Sequence, residues 1–380
     1  MTRPLARQGS LTLVALDGSN PLGFLAALGT LVAARQAGEI YSVLRWKRDL
    51  AWIPVLEGLS IGDPIRFSEL LADALRGARV SEEAENARKE AQRAFDAAKK
   101  VVEEHRKTIG RRRLKGQERK TAIDQEIRPL ERVRDGKRDE WLRALAQAAS
   151  RPELVLGKHI DCTAEELRAH ASALLASADP DGREPLDFLA AFASDACIRD
   201  SGRVDATPFC FVTGSGHQYF LDTVRQLMEL VEPKRVQRAL FERWTYQDEK
   251  LSLRWDPAED RRYALAAEDP SGESSRTVWM ANLLAYRALV LFPSAPRRGR
   301  LATTAWSTRD GDRAFTWPIW EPPADPETIR SLLQLPVLAE PAPDRSILRA
   351  RGIAATFRAR RIKVGEGANY KLNFSPAHAL

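Results

Sequence analysis

Apolar and polar positions alternate at residues 11 to 15, and the run passes into Asp17-Gly18-Ser19-Asn20-Pro21. There Ser19 or Asn20 can cap a helix whose first position is Pro21. The helix is apolar on nearly every side from Phe24 to Ala34, and Gly23 and Gly29 allow close backbone approach, so it is expected in the core. Short strands are predicted over residues 41 to 46 and 51 to 56, and a helix over 67 to 75.

Residues 81 to 147 follow a different rhythm. Ala84, Ala87, Ala91, Ala94, Ala98, Val101 and His105 recur at steps of three and four, the seam of a coiled coil. A second helix carries Ile123, Ile127, Leu130, Val133, Trp141 and Ala144 on one face, with Pro129 and Gly136 expected to bend or interrupt it. The turn between them spans residues 110 to 116. The pattern predicts an antiparallel helical hairpin roughly 40 Å long.

Beyond it, Thr163-Ala164-Glu165-Glu166 opens like a capping box on a helix to about Ala176. Asp179-Pro180-Asp181-Gly182 is a turn, and a helix is expected over 186 to 197. A short strand over 209 to 213, helices to about 231 and over 235 to 244, strands over 251 to 255 and 262 to 266, and a helix over 276 to 291 complete the central part. Residues 301 to 307 and 314 to 320 flank the turn residues Arg309-Asp310-Gly311-Asp312, a hairpin signature carrying Trp306, Trp317 and Trp320. The expected class is α+β, in four parts: an α/β part at 1–80, the hairpin at 81–147, a mainly helical core at 148–300 and a β-rich part at 301–380.

Composition narrows the function classes. The 380 residues are 44% hydrophobic and 29% charged, which fits a globular chain with a sizeable core. No apolar run approaches the length of a membrane span, so a cytoplasmic protein with no membrane partner is expected. The three cysteines Cys162, Cys197 and Cys210 lack the spacing of a zinc or dithiol site, and the five histidines stand singly, which argues against a metallohydrolase and gives no cofactor.

The formal charge is +7, and its distribution is the informative part. Residues 345 to 363 contain Arg345, Arg349, Arg351, Arg358, Arg360, Arg361 and Lys363 and no acid, so the rest of the chain sums to zero. With Phe357, Tyr370 and Phe374 nearby, this stretch has the guanidinium and ring content that tracks a phosphate backbone. The hairpin turn concentrates Arg111, Arg112, Arg113, Lys115, Arg119 and Lys120 against the single acid Glu118. A third candidate is Gly214-Ser215-Gly216-His217-Gln218 between a strand and a helix, where Ser215, His217 and Gln218 and the backbone N–H groups can hold a phosphate. It lacks the lysine and spacing of a nucleotide-hydrolysing loop, and the flanks of Ser215 are not those of a nucleophile elbow. The segment 254 to 263 crowds Asp256, Glu259 and Asp260 with Arg254, Arg261 and Arg262. Its carboxylates suit a divalent metal for nuclease chemistry, while its interleaved arginines suit an ion-pair network or a phosphate contact through Arg261 and Arg262.

Three stretches in this order, residues 16 to 29, 254 to 265 and 315 to 320, resemble proteins encoded beside the effector genes of type I-G (formerly I-U) CRISPR systems, including the helicase-nuclease-extension family. The first is also similar to the large-subunit family of those systems. The resemblance implies a part in RNA-guided recognition of foreign DNA, as a large or target-contacting subunit of a Cascade-like complex in antiviral defence. Partners would be guide RNA, target DNA, other effector subunits and the helicase-nuclease. The expectation is a non-enzymatic nucleic-acid-binding subunit reading backbone shape; a metal-dependent nuclease built on Asp256, Glu259 and Asp260, or a scaffolding adaptor, are the alternatives.

Overall fold

A computed structural model of the chain describes residues 9–177, 183–211, 219–259, 276–309, 312–364 and 370–380. Two compact units emerge, one running to Gly77 and resuming at Lys158, the other Ala78–Gly157. The parts 1–80, 148–300 and 301–380 of the sequence therefore share essentially one unit. The fold is mixed α+β.

The first unit begins with β1 (Gly9–Thr12), α1 (Pro21–Gln36), β2 (Val43–Arg48), β3 (Trp52–Leu59) and α2 (Pro64–Arg76). The second unit contributes α3 (Glu82–Arg111), α4 (Gly116–Ala122), a π-helical turn at Ile123–Ile127 and α5 (Arg128–Gln147). The first resumes with α6 (Ala164–Ser177), α7 (Glu184–Phe192), β4 (Ala193–Ile198), β5 (Val204–Ala206), α8 (Phe220–Glu229) and α9 (Pro233–Phe241). Then come β6 (Asp248–Glu249), β7 (Arg276–Thr277), α10 (Trp279–Arg287), β8 (Ser294–Arg297), β9 (Arg300–Thr303), β10 (Trp306–Arg309) and β11 (Asp312–Trp320). The chain closes with α11 (Pro326–Leu333), α12 (Arg345–Arg349), β12 (Ile353–Val364), β13 (Lys371–Phe374) and β14 (His378–Ala379).

Helix α1 is the axis of the first unit. The Asn20 side chain accepts from the N–H groups of Leu22 (2.8 Å) and Gly23 (3.3 Å), which with Pro21 fixes where the helix starts. Every residue from Pro21 to Ala34 is buried, so burial on all faces and not amphipathicity holds the helix in place. It crosses α10 so closely that a Cβ on Gly29 would lie 1.6 Å from the Leu284 carbonyl oxygen; only glycine fits. Around its start, the Phe24 ring meets Trp46 of β2 and Trp317 of β11, each at 5.7 Å, and Trp320 and Phe315 close the cluster. The small antiparallel sheet β1-β3-β2 and the larger sheet β10-β11-β12-β13, with β14 beside β12, thus share one aromatic core with α1.

Some expected elements differ. The helix expected over 186 to 197 stops at Phe192, because Ala193 turns extended and β4 pairs with β5; tertiary pairing overrides the weak helix preference of Ser194, Asp195 and Ile198. Residues 209 to 211 form no strand. The Cys210 N–H bonds back to the Thr207 carbonyl, and Phe209 is buried among Trp255, Phe292, Trp306 and Phe315. A short apolar run signals burial but not the conformation that achieves it. Residues 251 to 255 likewise form no strand, and 252 to 255 are buried: the Leu253 N–H bonds to the Asn282 side chain, and Arg254 has φ +65°. The expected strand over 262 to 266 and the turn 179 to 182 lie outside the described residues. All three cysteines are buried as thiols, and burial pushes the Cys210 thiol up to about 12.

In the second unit α3 and α5 pack antiparallel, and the thirty residues of α3 give a rod of about 45 Å. The seam is not the alanine row throughout. Val101 and His105 are exposed, whereas Val102 and Ile109 are buried and Phe95 stacks on Trp141 at 5.4 Å. The larger side chains at 95, 102 and 109, seven apart, bury more apolar area than the neighbouring positions and take the seam from them. Ile127, Trp141 and Leu145 are buried on the returning strand of the hairpin, and Val133 is exposed. The π-helical turn sits just before Pro129, while α5 runs through Gly136 without a break.

Candidate nucleic-acid interface

At the hairpin turn, α3 ends at Arg111, Arg113 takes φ +53°, and Gly116, at φ +51°, opens α4. Arg112 is tied to Glu126 at 2.6 Å. Arg111, Arg113, Lys115, Arg119 and Lys120 are exposed and make no ion pair among the described residues. The tip therefore holds five cations whose charge is not neutralised locally.

The C-terminal basic stretch divides into two kinds of arginine. Arg358, on β12, donates through Nε to Thr316 Oγ1 (2.9 Å) and through its terminal nitrogens to the carbonyls of Leu338 (3.0 Å), Glu340 and Pro341 (3.3 Å). It closes the end of the 3-10 turn Pro336–Ala339 and is a structural clamp. Arg361 is half-buried, lies over the Phe211 ring at 6.0 Å and donates to the Pro208 carbonyl. Burial first, and the like charge of Arg313 second, pull its pKa down to about 10. By contrast, Arg345 and Arg349 at α12, Arg351 just after it, and Arg360 and Lys363 on β12 are exposed; Lys363 lies 4.7 Å over the Tyr370 ring. Ser215, His217, Gln218, Arg261 and Arg262 lie outside the described residues, as does Asp260.

The carboxylates of the 254 to 259 segment are spent on the fold. Asp256 is fully buried; its Oδ1 accepts from Asn20 Nδ2 (2.8 Å) and the Ala258 N–H (2.8 Å), and its Oδ2 from the Tyr246 hydroxyl (2.9 Å). Asp256 thereby locks the residue that caps α1, 236 positions away. Glu259 accepts from Ser252 and Thr277 hydroxyls in a buried pocket, and Asn282 in turn donates to Thr277. Burial, reinforced by Asp256, raises the Glu259 pKa to about 7 against the opposing pull of Arg254 and the two hydroxyls. Trp255 Nε1 donates to the Phe209 carbonyl, and Trp317 Nε1 to the Gly18 carbonyl. The described parts of residues 16 to 29, 254 to 265 and 315 to 320 thus converge at the start of α1. Among the described residues no group of three or more His, Cys, Asp or Glu side chains is placed to hold a metal, and no helix is long and apolar enough to cross a membrane.

Comparison with known proteins adds no assignment. No family model matches the chain, and no curated protein matches it.

Cations that sequence reasoning passed over stand near the C-terminal sheet. Arg297 and Arg300 face each other across the β8–β9 hairpin, with Arg298 and Gly299 as its turn. Together with Arg313 of β11 they line a cavity of about 520 Å³ whose described walls include no carboxylate. Gly299 is a turn signal in the sequence, but nothing in the local sequence reveals that the turn faces a cavity.

Proposed function

We propose that this chain is a non-enzymatic nucleic-acid-binding subunit of a type I-G CRISPR interference complex, contacting the backbone of target DNA or guide RNA and working beside the other effector subunits and the helicase-nuclease in the cytoplasm. The observation that carries the reading is the set of arginines left over after folding: Arg297, Arg298, Arg300, Arg313 and Arg349 make no ion pair among the described residues and lie in the C-terminal part of the first unit. Cations without internal partners are what counterion-releasing contact with phosphates requires. The hairpin tip repeats the same arrangement in the second unit. A nuclease reading is disfavoured, because Asp256 and Glu259 are buried and engaged with Asn20, Tyr246, Ser252 and Thr277.

Co-expression with the effector proteins and a guide RNA of such a system tests the reading. The chain is expected to enter the ribonucleoprotein particle, to tighten its hold on target DNA in a steeply salt-dependent way, and to leave labelled DNA uncut in Mg²⁺ or Mn²⁺. Failure to enter the particle, or cleavage abolished by Asp256→Ala, contradicts it.

A further inference from the structure

We infer that the groove between the β8–β9 hairpin and the neighbouring faces of β10 and β11 is a binding site for an unpaired nucleic-acid strand, its phosphates held in an arginine-walled half and its bases in an apolar half. The inference rests on the nucleic-acid reading above and adds to it the site and the form of the ligand.

Two hollows adjoin here and share Arg297, Ala302, Thr303, Trp306, Ser307 and Ala339 as walls. The first, of about 520 Å³, adds Arg298, Arg300 and Arg313. The second, of about 410 Å³, adds Leu333, Leu335, Pro336 and Leu338. Each is the size of a pocket for a small planar group. A rigid duplex presents its phosphates from the outside of a cylinder and cannot lower its bases into such hollows, whereas an unpaired strand can turn them in.

The hairpin itself breaks local rules with no compensation among the described residues. Arg298 adopts φ +52° and Gly299 φ +73°, the two left-handed positions of a tight hairpin turn, where asparagine followed by glycine is preferred. Arg297 lies directly opposite Arg300, a like-charge cross-strand pair that opposes the hairpin. Four arginines on two hairpins, with no carboxylate among the described walls, suit successive phosphates better than one anion. Local conflict of this kind marks positions selected for something other than folding. Between the halves stands Trp306, whose buried indole N–H has no acceptor among the described residues. Its ring is fixed by Phe374 at 5.7 Å and by Phe315, which leaves a rigid indole at the junction of the two halves.

Fluorescence anisotropy on the full chain decides the matter, using a labelled twelve-residue oligothymidylate and a duplex of equal length. Three proteins are compared: wild type, Arg297→Ala/Arg298→Ala/Arg300→Ala, and a charge-matched control, Lys89→Ala/Lys99→Ala/Lys100→Ala, on the exposed face of α3. Thermal melting confirms that each is folded. Wild type is expected to favour the single strand at least about tenfold, the hairpin variant to lose about tenfold or more of that affinity, and the control less than about threefold. Equal losses in both variants would reduce the effect to net charge and overturn the site. An unchanged hairpin variant beside a binding wild type would overturn the groove and leave the proposed function standing; a wild type that binds neither oligonucleotide would overturn both. Equal affinity for duplex, or equal competition by a polyglutamate peptide, would overturn the assignment to an unpaired strand.

Discussion

The start of α1 and the groove beside the β8–β9 hairpin are both rich in polar side chains, and they use them in opposite ways. At α1 the polar groups are buried or half-buried and partnered within the chain: Asn20, Asp256, Tyr246, Ser252, Glu259, Thr277 and Asn282 form hydrogen-bonded sets, and the indole of Trp317 closes on Gly18. Beside the hairpin, Arg297, Arg298 and Arg300 are exposed and Arg313 is half-buried, crowded with their own kind and without carboxylate partners among the described walls. A motif-like cluster can therefore be an instruction for folding, while an unremarkable run of residues supplies the surface available to a partner. The cost of leaving a group unpaired separates the two. Inside the protein it amounts to about 1–3 kcal/mol for each donor or acceptor, and it is close to nothing for an exposed guanidinium.

Perturbing the first region should destroy the fold, and perturbing the second should leave the fold and remove binding. The largest effect is expected from Gly29→Val, which would drive a side chain into the Leu284 carbonyl. This variant should show no cooperative thermal transition by circular dichroism, and a normal melt would mean that α1 and α10 are not locked together as described. Next comes Asp256→Ala, which leaves Asn20, Tyr246 and the Ala258 N–H without their acceptor. It should cost about 4 kcal/mol in denaturant unfolding, with oligonucleotide affinity of the folded fraction unchanged.

Glu259 gives the comparison a pH axis. Its folded-state pKa of about 7 stands above the ordinary 4.5, so the native state holds the proton more tightly than the unfolded chain does. The associated stability is fully present below about pH 4.5 and is lost as pH rises through about 7, a swing of up to about 3 kcal/mol. Glu259→Gln should flatten the stability profile between pH 5 and pH 8; an unaltered profile would show that this carboxyl is not the group that titrates. The smallest effect on stability belongs to Arg298→Asn, which suits the left-handed turn better. It should stabilise by about 0.5 kcal/mol while weakening single-strand binding, a reversal that no buried position can produce.

Much of the local structure was legible in the sequence. Asn20 and Pro21 announced α1, and Thr163 and Glu166 bond reciprocally as their spacing predicts. Of the tryptophan-bearing runs, 314 to 320 is most of β11, and it pairs antiparallel with β10 as expected, whereas 301 to 307 is split between β9, which pairs with β8, and the first half of β10. What was not legible depends on partners far away in the chain. Neither Asp256 nor its neighbours carry a sign that Asp256 holds the residue capping a helix 236 positions earlier, so a carboxylate cluster looked like candidate chemistry. The same limit applies to the arginines. Arg358 and Arg349 are alike in a charge count, yet one is held by three carbonyls and a hydroxyl and the other is exposed. Charge runs report how many cations are present; only the packing around them decides which remain available.

The most direct test of that division is the salt dependence of oligothymidylate binding, compared between wild type and Arg297→Ala/Arg298→Ala/Arg300→Ala. If these three guanidinium groups meet phosphates, the slope of log Kd against log salt should fall by about two in the variant, from roughly 0.7 per lost contact on a single strand. A slope identical to that of wild type would contradict the account, because the cations left over by folding would then not be the ones that grip the strand.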